Sequence, residues 1–117
     1  PGVVATTDAK TICQSGYSRS VRNVTDDMRN QVFRSYGLKR EPGKYEVDHL
    51  ISLELGGSND VGNLWPESYV SVPYNARDKD KLENTLHRLV CTGRMPLETA
   101  QELIRTDWIK AYRMYVK

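Results

Sequence analysis

Several things are scarce in these 117 residues: one phenylalanine, two histidines, two cysteines and almost no net charge. Two cysteines far apart, Cys13 and Cys91, with no CxxC spacing argue against a thiolate zinc site. No apolar run approaches the length of a membrane span, so no membrane partner is expected. No signal-peptide pattern is visible, and the first residue is Pro1 rather than Met, so a leader removed upstream is one expectation. Seventeen basic against 15 acidic side chains leave a formal charge of only +2, which by itself is little argument for a nucleic-acid partner.

What is present suits one globular domain spanning 1–117, with a core of limited size. Apolar residues make up 38% and charged residues 27%, too balanced for a disordered chain. Between Arg19 and Lys44 seven basic residues face three acidic ones, a local excess that suits phosphate or simply a solvated face. A Cys13–Cys91 bridge would close a loop worth about 4–5 kcal/mol on the chain-entropy model. From the residues alone, that bridge and two buried thiols both stand.

In chain order, residues 1–10 read as a loose or extended arm and 14–23 as a turn with a short extended piece. A helix is expected from Asp26 to Tyr36, with Thr25 as cap and Val24 as a staple outside it. Asp26 and Asp27 complement its dipole, Met28, Val32 and Tyr36 form its buried stripe, and Gly37 ends it. Pro42-Gly43 marks a turn. Lys44 to Ile51 reads as a strand with Tyr45, Val47 and His49 on one face and Glu46, Asp48 and Leu50 on the other. A twist at its end would be needed to bring Asp48 and His49 into one cleft. A loop from Gly56 to Gly62 follows, then a return strand from Asn63, where Pro66 signals an edge or the end of pairing. A second helix runs from Asn75 to Val90, with Leu82, Leu86 and Leu89 as its stripe and Asn75, Lys79, Glu83 and His87 rising four apart beside it. Pro96 opens a third helix with Leu97, Ala100, Ile104, Trp108, Ala111 and Tyr115 buried and a break near Thr106-Asp107.

Phosphodiester hydrolysis needs a base, a cation against the charge on the phosphoryl group and help for the leaving oxygen. His49 suits the first task and Asp48 the second, as an oxygen ligand for a hard ion. Each has a plainer reading: a lone histidine is more often a hydrogen-bonded core residue, Asp48 can cap a turn, and Glu83–His87 can be a surface pair.

The ordered set Asp48-His49-Leu50, Gly56-Gly57, Asn63-Leu64 and a helix opening at Asn75 and bearing Lys79 resembles the HNH endonuclease family. The longer pattern Tyr-Glu-Val-Asp-His-Leu-Ile, Leu-Glu-Leu-Gly-Gly, Asn-Leu-Trp-Pro-Glu and Lys-Asp-Lys-Leu-Glu-Asn resembles small bacterial HNH-like proteins over about residues 44–93. The resemblance implies an α+β fold of the ββα-metal (His-Me finger) type. A short antiparallel hairpin and a helix, about 44–91, would be braced by N- and C-terminal helices. It makes His49 the general base, Asp48 and Asn75 the metal ligands, and Asn63 the residue that orients the histidine. Glu83 and His87 become supporting groups; Lys79, Arg77, Arg19 and Arg22 become phosphate contacts. Lys79 stands where some members carry a second helix histidine, a departure that favours Mg²⁺ (Mn²⁺ next) over Zn²⁺. It implies a DNA substrate, with RNA as the alternative, cut with low sequence specificity, by nicking if the protein is a monomer. It also favours the Cys13–Cys91 disulfide and a periplasmic or secreted address. Two other readings remain: a non-catalytic nucleic-acid-binding or structural module on the same scaffold, and a secreted effector nuclease.

Overall fold

A computed structural model describes residues 2–41 and 43–116. Its elements in order are α1 (Ala9–Ile12), α2 (Tyr17–Val21), α3 (Asp26–Ser35), β1 (Tyr45–His49), β2 (Leu64–Ser68), α4 (Ala76–Cys91) and α5 (Leu97–Tyr115), with 3₁₀ turns at Leu53–Leu55 and Val61–Asn63. The expected α+β arrangement is found. An antiparallel β-hairpin packs against α4, a ββα-type core, and helices from both ends of the chain brace it.

Local chemistry accounts for the helix boundaries. Thr25 accepts from the Met28 amide at 3.1 Å, and Asp26 and Asp27 occupy the first turn of α3. The expected Met28–Val32–Tyr36 stripe is only partly correct: α3 buries Val32 and Phe33, and Tyr36 is exposed. The helix stops at Ser35, so Tyr36 already belongs to the turn, and Phe33 instead meets Tyr45 edge-on at 6.2 Å. In α4, Asn75 and Asp78 form a reciprocal capping box. In α5 the break falls at Asp107, whose carboxylate accepts from the Lys110 amide and caps the second half.

The hairpin pairs Tyr45 with Ser68, Glu46 with Glu67, Val47 with Pro66, Asp48 with Trp65 and His49 with Leu64. Leu50 N–H donates to Asn63 O at one end and Tyr69 N–H to Lys44 O at the other. Ladder bonds therefore fall on the even-numbered residues of β1, and Pro66, opposite Val47, lies where no N–H is required.

The core lies between α4 and α5. Ile12, Ile51, Leu55, Leu82, Leu86, Val90, Leu97, Ala100 and Ile104 are buried there. The 2–6 arm is not loose: Ala5 N–H donates to Gly56 O, Ser58 N–H to Val3 O, and buried Gln101 donates to both Thr6 O and Leu55 O. Cys13, at the end of α1, and Cys91, the last residue of α4, are joined by a disulfide with Cα atoms 5.6 Å apart. That bond fits an oxidising, extracytoplasmic environment rather than the cytoplasm. No helix among the described residues is long and apolar enough to cross a membrane.

Candidate functional site

The site forms where β1 ends. Residues two apart on a strand share a face, and so do register partners. Glu46, Asp48, Trp65 and Glu67 therefore occupy one face of the hairpin, and Trp65 Nε1 donates to Asp48 Oδ2 at 3.0 Å. The strand ends at His49, and Asp48 and His49 line the same narrow cleft of about 80 Å³. Its other polar walls are Arg22, Glu46, Ser52, Asp80 and Glu83.

His49 is buried and held through one nitrogen. Its Nε2 lies 3.0 Å from Asn59 Oδ1, which also accepts from the Asn23 amide, while Asn59 Nδ2 donates to Val21 O. An oxygen that accepts from both sides requires the hydrogen on Nε2, which leaves the imidazole lone pair on Nδ1. Burial, with Arg22 and Lys79 nearby, lowers the His49 pKa from its ordinary value, against the opposing pull of Asn59 and Asp48. That direction favours the neutral imidazole, the form a base needs.

The Asn63 side chain makes no hydrogen bond to His49. Its amide clamps the turn that follows: Oδ1 accepts from Ile51 N–H at 3.0 Å, and Nδ2 donates to Ile51 O and Ser58 O, each at 2.9 Å. Gly57 makes this clamp geometrically feasible, because a Cβ there would lie 1.7 Å from Ile51 O. Asn63 thus holds the backbone on which His49 is carried, and Asn59 holds the ring.

Lys79 corrects the sequence reading most sharply. It was expected to contact phosphate but has no exposed surface. Its ammonium lies 2.7 Å from Asp48 Oδ2, 2.7 Å from Glu83 Oε2 and 3.0 Å from His49 O. Burial alone would lower its pKa; Glu83 and Asp48 outweigh that and hold it above the ordinary lysine value. Lys79 is an internal cation that locks α4 to the end of β1. Asn75, expected as a metal ligand, spends its side chain on the helix: Oδ1 accepts from Arg77 N–H, and Nδ2 donates to Ser71 O. His87 does not line the cleft; its Nε2 lies 3.1 Å from Ile12 O and 3.6 Å from Cys91 Sγ. Arg22 lines the cleft, and also a groove of about 690 Å³ that Arg29, Arg40, Tyr45 and Tyr69 help to form. Arg19 is exposed on α2 and Arg77 on the first turn of α4, and neither lines the cleft.

Among the described residues, two clusters bring three ligand-type atoms within 4.8 Å of one another, Cys13/His87/Cys91 and Glu46/Asp48/Glu67. In the first, both sulfurs are spent on each other, so it offers no thiolates. The second offers only carboxylate oxygens, the donors that hard divalent ions prefer. Burial, and then Asp48, raise the Glu67 pKa to about 8. Burial, Asp48 and Asp80 raise that of Glu46 to about 7. Both oxygens of Glu67 are buried without a hydrogen-bond partner, as is Ser52 Oγ. The residues therefore fit a divalent cation at the acidic cluster and do not fit Zn²⁺ at the cysteines.

Sequence reasoning missed Asn59, Glu46 and Glu67. Glu46 was within reach, two residues before Asp48 on the same strand face. Glu67 needed the register of the hairpin, and Asn59 needed the path of the loop.

No protein-family model matches the chain, and neither a curated protein nor a solved structure matches it. The fold and the site thus stand on this chain's own geometry: a small α+β domain with a β-hairpin, flanking helices and clustered groups compatible with a metal.

Proposed function

We propose that this protein is a metal-dependent endonuclease that hydrolyses phosphodiester bonds in nucleic acid, DNA first, with low sequence specificity. The observation that carries the reading is that His49 shares one cleft with Asp48, three further carboxylates (Glu46, Asp80 and Glu83) and Arg22. His49, with Nε2–H held by Asn59, would take a proton from water at Nδ1. Arg22 would hold the phosphate at the mouth of the cleft. A divalent ion on the acidic face, when bound, would offset charge building on the phosphoryl oxygens. Arg22 and the ion would both engage phosphate rather than base edges, which favours backbone recognition and salt-sensitive activity.

One observation favours a second reading, a catalytically silent nucleic-acid-binding or structural module. Lys79 already supplies a positive charge to Asp48 from inside the protein. Supercoiled plasmid, incubated with Mg²⁺ or Mn²⁺, with EDTA, and with His49→Ala beside the wild type, separates the two. Relaxed or linear product that disappears with chelation and with the substitution supports the nuclease. Intact plasmid together with DNA binding indifferent to metal and to His49 supports the silent module.

A further inference from the structure

The two faces of the hairpin differ in a way that protein atoms alone leave unexplained. Glu46 and Glu67 are direct register partners, so two carboxyl groups stand opposite each other on adjacent strands, an arrangement that ordinarily destabilises a sheet. Asp48 lies on the same face, and one oxygen from each of the three falls within 4.8 Å of the others. Glu67 is 2% exposed, yet neither of its oxygens accepts a hydrogen bond. Ser52, 5% exposed and on the wall of the cleft with Glu46 and Asp48, also has an unpartnered Oγ. Lone buried polar atoms are costly, and native structures nearly always satisfy them.

Lys79 answers only part of this demand. Its ammonium takes Asp48 Oδ2, as does Trp65 Nε1, so Oδ1 is the oxygen of Asp48 that neither contact uses. Its other contacts go to Glu83 and His49 O, leaving nothing for Glu46 or Glu67. Three oxygen donors and no nitrogen or sulfur select a hard ion that completes its shell with water.

We infer that Glu46, Asp48 and Glu67 form a binding site for one hard divalent cation of the Mg²⁺ or Mn²⁺ class, built across the hairpin and not between β1 and the start of α4. The inference deepens the nuclease reading and rests on it for the purpose of the ion, though not for its geometry. Asn75 has no part in the site, and Glu67 is the ligand that the hairpin register supplies.

The test needs no nucleic acid. Mn²⁺ is titrated into the full chain, and the free ion is followed by electron paramagnetic resonance. Wild type should bind one Mn²⁺ per chain, Glu67→Gln should weaken binding by about tenfold or more, and Asn75→Ala should leave it unchanged. Glu67→Gln removes a buried acid without changing its size, so its melting temperature in EDTA should be no lower than that of wild type. That control separates a lost ligand from a lost fold. A wild type that binds no Mn²⁺, or a folded Glu67→Gln that binds as tightly as wild type, overturns the site. Mn²⁺ binding without plasmid cleavage would sink the nuclease and spare the site. Metal-dependent cleavage with unaltered binding in Glu67→Gln would do the reverse.

Discussion

The two clusters of ligand-type atoms look alike on paper and differ in what their atoms already do. Cys13, His87 and Cys91 gather at the junction of α1 and α4, and Glu46, Asp48 and Glu67 gather across the hairpin. In the first, sulfur is bonded to sulfur and His87 Nε2 faces Ile12 O, so little capacity is left over. In the second, one carboxylate is shared with Lys79 and another, Glu67, has no partner. Proximity of suitable residue types is therefore a poor guide to a site; unsatisfied capacity is the better one. The first cluster is a staple, and the second keeps the unmet capacity on which the proposed cation site rests.

The comparison can be broken most forcefully at the staple. Cys13→Ser with Cys91→Ser should cost about 4–5 kcal/mol in urea unfolding, since the bond spans 78 residues of sequence. Mn²⁺ binding at the hairpin should survive wherever the double variant is folded. A loss below about 1 kcal/mol would show that packing of α1 on α4 suffices without the bond.

The next largest effect should come from Lys79→Met, which leaves Asp48 and Glu83 as buried acids without their cation. A loss of about 3–5 kcal/mol is expected in EDTA, measured in the same way. Added Mn²⁺ should restore part of it, because an ion on Asp48 replaces some of the missing charge. Stability equal to wild type would mean that the ion pair holds nothing together.

The effect that sharpens the contrast most is on pH. Glu67 and Glu46 are raised to about 8 and about 7 in the folded protein, from an ordinary 4.5. Between those limits the folded state binds more protons than the unfolded one. Their contribution is thus fully present below about 4.5 and is lost as pH rises through 7 and 8. In EDTA the urea midpoint should fall from pH 5.5 to pH 8.5, and Glu67→Gln should flatten that slope. A wild-type midpoint that is level or rises over this range would contradict the burial of an unpartnered Glu67.

Much of the fold was legible because helix signals act over a few residues. Thr25, the Asn75–Asp78 box and Asp107 each mark a boundary through a hydrogen bond to an amide two or three residues away. The alternation of β1 and the aliphatic spacing of Leu82 and Leu86 were likewise visible as period two and period near four. Tyr36 was misplaced because a four-residue stripe does not say where the helix stops. Lys79 was misread for a different reason. A lysine on an amphipathic helix is ordinarily solvated, and only two acids, 31 residues before it and 4 after it, make its burial tolerable.

The sequence by itself determined where α3, α4 and α5 begin, though not the short α1 and α2, that Asp48 and His49 would stand near the end of a strand, and that glycines would shape the loop behind them. These follow from interactions between near neighbours. Only the tertiary structure decided that Glu67 would face Glu46, that Asn59 rather than Asn63 would hold the imidazole, that Lys79 would sit inside, and that Cys13 would meet Cys91. Each of these depends on bringing distant segments together, and the free energy of a buried polar group is set by whichever partner the fold delivers to it.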